Sequence, residues 1–267
     1  MTDQAMTVPA NDAASIVYAN LPVRFSHLRA YGRSPMHGQF ARTQDALQTR
    51  DMQRGTAVHA LVFGNRPVVG YPGSQRRGKE YDAFAADNPG AEILTMSEYE
   101  KARRMADAIN ANDLARPLLA GINETTLRFD WQGMPCRATP DVRGLDYITE
   151  LKTSSTVDPQ RFLWHALRMH YHAQLYWYGL AAEICGYPIK RFYIVACEAS
   201  EPFPVTVFEV QPRALDAAAK TIALWFERMK VSEASMQFPP YAQSVVPLDI
   251  PEDDDVDFVY PEEDEAA

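Results

Sequence analysis

The chain has 267 residues, 46% of them hydrophobic, and a formal net charge of -9; that length can bury a sizeable core as one elaborated domain or as two small ones. No apolar run approaches the roughly 20 residues of a membrane span, and the opening Met1-Thr2-Asp3-Gln4-Ala5-Met6 lacks the basic and then apolar pattern of a signal peptide, so a soluble cytoplasmic protein with no membrane partner is expected. Nine acids and no base fall between residues 251 and 267, which leaves residues 1 to 250 near neutral and able to carry a basic groove.

Residues 1 to 20 are polar and alanine-rich and read as a mobile arm. Phe25 to Tyr31 reads as a short helix ended by Ser34-Pro35, and a second short helix is expected from Met36 to Ala46. Thr49 to Phe63 is a firmer helix with Met52, Ala57 and Leu61 on its apolar side. It holds Gly55-Thr56-Ala57-Val58-His59, and a glycine inside a helix costs about 1 kcal/mol against alanine, which points to close approach of another element. His59 reads either as a hydrogen-bonded core histidine or as a metal ligand.

Gly64 to Lys79 is rich in Gly, Pro and Arg and reads as one long loop. Its Arg66, Arg76, Arg77 and Lys79 are either a solvated surface or phosphate contacts. A short helix from Tyr81 to Asp87 and an extended piece from Glu92 to Thr95 follow. Ser97-Glu98-Tyr99-Glu100 has the spacing of a capping box opening a helix to about Asn110, and Asp113 to Ala120 adds a turn or two. The period then changes to two: Glu124 to Trp131 runs out, Gln132-Gly133-Met134 turns, and Pro135 to Val142 runs back.

The most informative stretch is Thr139 to Lys152, with Pro140-Asp141, eight residues, then Glu150-Leu151-Lys152. Tyr147 to Lys152 reads as a strand whose alternation sends Glu150 and Lys152 to one face and Leu151 to the other. A turn at Gly144-Leu145-Asp146 brings Asp141 beside Glu150, so three consecutive strands carry Glu124, Asp141, Glu150 and Lys152. Carboxylate oxygens suit Mg²⁺ or Mn²⁺, which can acidify a water and neutralise charge on a scissile phosphate. Lys152 would orient or help deprotonate that water, or stabilise the phosphate. The plain alternative is a hairpin with a surface Glu and Lys.

Asp158-Pro159 is a helix start, giving one helix to about Met169 and a second from Tyr171 to Ile184, on which Gln174 and Tyr178 share a face. His165, His170 and His172 do not fit helical metal spacing and read as solvated or packing residues. Lys190 to Cys197 and Pro204 to Val210 form an antiparallel pair, and Gln211 to Val231 a long helix burying Leu215, Ile222, Trp225, Phe226 and Met229. After Gln237 no packed element is expected; residues 21 to 235 form one domain and residues 236 to 267 a proline-containing, acidic, disordered tail. Cys136, Cys185 and Cys197 are widely separated in apolar segments, with no disulfide framework and no Cys-x-x-Cys site.

Four pieces resemble the PD-(D/E)XK nuclease superfamily, and within it the exodeoxyribonuclease VIII (RecE-type) exonucleases of phage recombination. They are Ser34-Pro35 after a short helix, Gly-Thr-Ala-Val-His at 55 to 59, Pro140-Asp141 with Glu-Leu-Lys-Thr at 150 to 153, and Tyr-His-Ala-Gln-Leu-Tyr-Trp-Tyr at 171 to 178. The resemblance implies an α/β fold, a central mixed sheet flanked by helices with a helical amino-terminal elaboration. It implies Asp141, Glu150, His59 and the Leu151 carbonyl as metal ligands, Lys152 as the catalytic lysine, and Gln174 and Tyr178 as residues positioning DNA or that lysine. Glu124 matches an acidic residue that some relatives carry before the Pro-Asp. The implied reaction is Mg²⁺-dependent hydrolysis of DNA from duplex ends, 5′ to 3′, with Mn²⁺ able to substitute, a homo-oligomeric assembly, and a single strand left for an annealing protein. RecB- or Cas4-like nucleases of other polarity, endonucleases and a non-catalytic DNA-end-binding module are the rivals. Some of these relatives hold an iron-sulfur cluster on four cysteines, and three scattered cysteines argue against one here.

Overall fold

The computed structural model describes residue 18 and residues 21–44, 49–73 and 75–248. The expected amino-terminal arm, Tyr18 apart, and the acidic stretch from 251 to 267 lie outside the described residues. Helix α1 (Phe25–Arg33) is followed by α2 (Pro35–Thr43) and α3 (Arg50–Phe63). Next come β1 (Val68–Tyr71), α4 (Lys79–Asp87), β2 (Glu92–Thr95), α5 (Met96–Ala111) and α6 (Ala115–Leu119). Strands β3 (Ile122–Asn123), β4 (Leu127–Trp131), β5 (Met134–Ala138), β6 (Val142–Arg143) and β7 (Tyr147–Ser154) lead to α7 (Pro159–Arg168) and α8 (Tyr171–Ile184). Strands β8 (Arg191–Glu198) and β9 (Val205–Glu209) and helix α9 (Pro212–Ser235) complete the order.

The central sheet runs β3-β6-β7-β8-β9. The β7–β8 pairing is parallel and the other pairings are antiparallel, so the sheet is mixed, as expected. Period-2 alternation divides it between two cores. Ile148, Phe192, Ile194 and Ala196 face a core built with α1, α8, α9 and the β4–β5 hairpin, while Leu151, Val195 and Cys197 face one built with α3, α5 and α6. Helices therefore cover both faces, which is the arrangement that satisfies strands buried on two sides. The cysteines at 136 and 197 fall in different cores, where burial pushes each thiol up to about 12.

The amino-terminal elaboration is an α1–α2 corner clamped to α9. Ser34 caps α2 through its side chain, and a Cβ at Gly38 would sit 2.3 Å from the Tyr31 ring, so only glycine lets the two helices meet there. Helix α2 ends at Thr43, before the expected Ala46, because Gln44 turns extended.

Five expectations change. The stretch from Gly64 to Lys79 is not one loop: Val68–Tyr71 pairs in parallel with Glu92–Thr95. The capping box on α5 is Thr95 with Glu98, not Ser97 with Glu100, since the β1–β2 pairing ends at Thr95 and the helix must start there. On α3 the buried residues are Ala57, Val58 and Ala60 while Met52 faces out. Helix α3 does approach β7, yet a Cβ at Gly55 would meet Thr153 Oγ1 at 3.5 Å, an ordinary contact that alanine would tolerate. Finally, the chain packs beyond Gln237: Phe238 lies against the first core, and Arg33 Nε donates to the Tyr241 hydroxyl at 3.1 Å.

Candidate active site

The two acids upstream of β7 sit on breaks between strands, not within them. Glu124 has φ 45° and links β3 to β4, and Asp141 links β5 to β6. Pro140 cannot donate to a ladder, so the β4–β5 hairpin ends as a separate sheet and the chain crosses into the central one at Asp141. There the Glu124 N–H donates to the Asp141 carbonyl at 3.0 Å, which fixes the two breaks side by side.

Strand β7 brings the rest. Asp141 N–H donates to Glu150 Oε1 at 3.0 Å and Leu151 N–H to Asp141 Oδ2 at 2.8 Å. Lys152 Nζ donates to Glu150 Oε2 at 2.8 Å and to Gln174 Oε1 at 3.1 Å. Gln174 Nε2 in turn donates to the Tyr178 hydroxyl at 2.8 Å, so the i, i+4 pair on α8 acts as one brace. The Tyr171 ring, one turn earlier on α8, lies 4.9 Å from Lys152 Nζ, within cation–π range.

From the other side of the sheet, α3 presents His59, whose Nδ1 is 3.5 Å from Asp141 Oδ1. Helix α3 then stops at Gly64 in the left-handed region, φ 62°, and the next residue, Asn65, donates its side-chain amide to Glu124. One ligand atom from each of His59, Glu124 and Asp141 falls within 4.8 Å of the others. Two carboxylates and an imidazole nitrogen form a donor set that fits a divalent cation with coordination positions left for water and substrate. Glu150 stands next to this trio with both oxygens hydrogen-bonded to Asp141 and Lys152.

The charges are unevenly matched. Burial raises both carboxyl groups, but for Asp141 the charges of His59 and Lys152 and the Leu151 N–H reverse it and leave the pKa low. Glu150, 2% exposed, is pushed up to about 7 by burial and by the Asp141 charge, with Lys152 only partly offsetting them. Burial would lower the pKa of His59 and of Lys152, yet the neighbouring carboxylates outweigh it and both end raised. Lys152 is therefore an ammonium, a hydrogen-bond donor and not a base.

Two of the four basic residues between 66 and 79 share the wall of one cavity. Arg66 follows Asn65, and Lys79 opens α4. Arg76 and Arg77 line a cavity of about 590 Å³ with Arg50, Gln53 and Tyr81. Arg76 is partly committed there, donating to the Ile93 carbonyl at 2.8 Å with Glu98 3.9 Å away. His165, His170 and His172 join no metal-holding group among the described residues; His170 packs edge-on against Trp225 and His165 Nε2 lies 3.4 Å from the Tyr171 hydroxyl. Sequence reasoning missed Asn65 and Tyr171. The first is marked only by following a helix-ending glycine, the second by lying three residues before Gln174 on one helix face.

A family model, the PDDEXK-like domain of unknown function (DUF3799), matches residues 25–245. The chain belongs to this family. The PDDEXK-like domain thus takes in everything from α1 to the packed segment after α9. A crystal structure from Eubacterium rectale, described as a "putative exonuclease", superposes with a TM-score of 0.64 at 13% identity, over 94% of this chain and 97% of that one; this likeness establishes a shared fold. SSO0001 matches with a TM-score of 0.25 at 15% identity, over 48% of this chain and 67% of that one, too low to bear on the PDDEXK-like domain. No curated protein matches the chain. Among the described residues no helix is long and apolar enough to cross a membrane.

Proposed function

We propose that this protein is a metal-dependent deoxyribonuclease of the RecE type, hydrolysing duplex DNA from its ends, 5′ to 3′, in phage-type recombination. The observation that carries the reading is the Lys152 ammonium, held 2.8 Å from Glu150 and 3.1 Å from Gln174, beside the His59, Glu124 and Asp141 trio. The exonuclease description of the Eubacterium rectale protein is in line with it.

His59, Asp141 and Glu124 would hold the ion, and Glu150 and the Leu151 carbonyl are the further ligands that the resemblance implies. A bound Mg²⁺ or Mn²⁺ supplies Lewis-acid stabilisation to the phosphate and acidifies the attacking water. Lys152 does the protein's own part: as an ammonium fixed by Gln174 and by the Tyr171 ring, it donates to the charge that builds on the phosphate oxygens. Asp141, low in pKa, stays ionised and attracts the cation. Water adds to phosphorus, one P–O ester bond breaks, and the proton ends on the leaving alcohol. Arg66, Arg76, Arg77 and Lys79 would meet backbone phosphates. The single strand left behind would pass to an annealing protein, and a homo-oligomer in the cytoplasm would carry out the reaction.

The test is digestion of linear and circular duplex with Mg²⁺, with either end labelled, repeated in chelator. Loss of linear DNA from the 5′ ends only, abolished by chelator, is the expected result. Cleavage of circles would replace the exonuclease by an endonuclease, release from the 3′ ends would reverse the polarity, and intact DNA of both kinds would leave a DNA-end-binding module.

A further inference from the structure

Helix α7 joins the strand that carries Glu150 and Lys152 to the helix that carries Tyr171, Gln174 and Tyr178. Its inner face is anchored by Phe162, buried and stacked 4.5 Å from Phe208. Its outer face is unusual. Trp164 is 72% exposed, Leu163 53% and Leu167 37%, and at 100° per residue Leu163, Trp164 and Leu167 form one strip along the helix. Arg161 and Arg168 run beside that strip on the same exposed side. The helix itself contains no acidic residue, and the one carboxylate at its start, Asp158, is engaged by the N–H groups of Gln160 and Arg161.

A flat, exposed indole flanked by aliphatic side chains and guanidinium groups matches the chemistry of unpaired nucleic-acid bases, which stack on aromatic rings while arginines meet their phosphates. An exposed tryptophan can also anchor a protein interface, but a helix that carries arginines and no acid is complementary to a polyanionic strand. Helix α7 is linked to the candidate site through another of its faces: His165, about 100° around the helix from Trp164, contacts Tyr171, whose ring contacts Lys152. We propose that the outer face of α7 is a stacking platform for single-stranded nucleic acid, with Trp164 as the ring on which a base lies. The inference rests on the nuclease reading for its substrate class, and it assigns this face to a strand unpaired from the duplex.

Tryptophan emission tests it directly in the full-length protein. Of the four tryptophans, Trp177 and Trp225 are buried, Trp131 is half-buried, and Trp164 is exposed, so the difference between wild type and Trp164→Phe isolates the signal of interest. In chelator, where no strand is cut, single-stranded oligothymidylate should quench that difference. Trp164→Ala should weaken oligothymidylate binding by about 5- to 100-fold, Trp164→Phe by much less, and blunt duplex binding should change by less than about 3-fold. Circular dichroism melts of the variants should overlay, since the side chain is exposed. Unmoved emission with equal affinities would overturn the proposal, as would an equal loss for duplex, or a smaller assembly for Trp164→Glu on sedimentation with no quenching. Hydrolysis is scored separately with Mg²⁺: quenching without cutting keeps the platform and sinks the nuclease, and cutting without quenching does the reverse.

Discussion

Two clusters of buried charge differ in how completely they are closed. At the α1–α2–α9 junction, Arg42 donates to Glu233 Oε1 at 2.9 Å, to the Leu21 carbonyl at 2.8 Å and to the Tyr18 carbonyl at 2.7 Å. The Tyr31 hydroxyl donates to the same Glu233 oxygen at 3.1 Å, and burial with the Glu233 charge pushes that hydroxyl up, so it stays a donor. One cation meets one anion and the guanidinium is tied to backbone. Around Lys152, by contrast, three carboxyl groups crowd one ammonium and one imidazole, and Asp141 and Glu150 are driven to opposite sides of their usual range. A closed cluster holds helices together; an unbalanced one marks a candidate site, and its His59, Glu124 and Asp141 could hold a metal ion.

Breaking each cluster should therefore give opposite phenotypes. The largest effect is expected from Arg42→Ala, which strands Glu233 in a site where the arginine side chain is 0% exposed; such a loss costs about 3–5 kcal/mol. Urea unfolding should show it, with metal dependence of DNA cleavage unchanged at low temperature. A loss under about 1 kcal/mol would mean water reaches the junction and the cluster is not closed. Next comes Lys152→Ala, expected to cut turnover by roughly 10² with modest change in DNA affinity. Its melting temperature should barely move, because Glu150 can take up a proton when its partner goes. Lost affinity at full turnover would reduce Lys152 to a phosphate clamp.

A pH series sharpens the comparison at a third group. His27 is buried beside Arg24, and burial, then the charges of Arg24, Arg42 and Arg137, lower its pKa from 6.5 to about 3. Above pH 6.5 the ring is neutral in folded and unfolded chains alike. Between pH 6.5 and 3 the unfolded chain binds a proton that the folded one refuses, so stability falls as pH falls, by up to about 1.4 kcal/mol per pH unit. Replacing the ring by Gln should flatten that part of the curve measured by denaturant unfolding. Parallel curves for the two proteins would show that the imidazole accepts its proton in place.

Much of this arrangement was legible in the sequence wherever the information is local. The alternation of Glu150 and Lys152 follows from eight strand residues, the α7 start from Asp158-Pro159, and the Gln174–Tyr178 brace from i, i+4 spacing. What was not legible depends on distant partners. Four residues, Val68–Tyr71, cannot show a period, and only their pairing with Glu92–Thr95 makes them a strand. Thr95-x-x-Glu98 and Ser97-x-x-Glu100 both have capping-box spacing, and the end of that same pairing selects the first. Glu124 reads as a strand residue because its neighbours alternate, but its place beside His59 follows from a left-handed backbone and from Asn65 across a helix end.

Tyr171 tests the smallest expected effect and the finest part of the contrast. The closed cluster ties its cation down with backbone carbonyls and Glu233 while the Tyr18 ring stands 5.9 Å from the guanidinium, and the open one brings a ring nearer to its ammonium. The ring centroid lies 4.9 Å from Lys152 Nζ, and a largely desolvated cation–π contact contributes about 1–2 kcal/mol. Replacing Tyr171 by Leu removes the quadrupole and keeps an apolar filler, so turnover should fall by roughly 5- to 30-fold with KM little changed. The Phe replacement keeps the ring and drops the hydroxyl that contacts His165; it should recover most of the lost rate. The same pair of variants separates two roles. If Leu and Phe are equally slow, the hydroxyl and its His165 contact matter and the ring does not. If neither slows the enzyme, Gln174 and Glu150 suffice to aim the ammonium, and the site is held by hydrogen bonds after all.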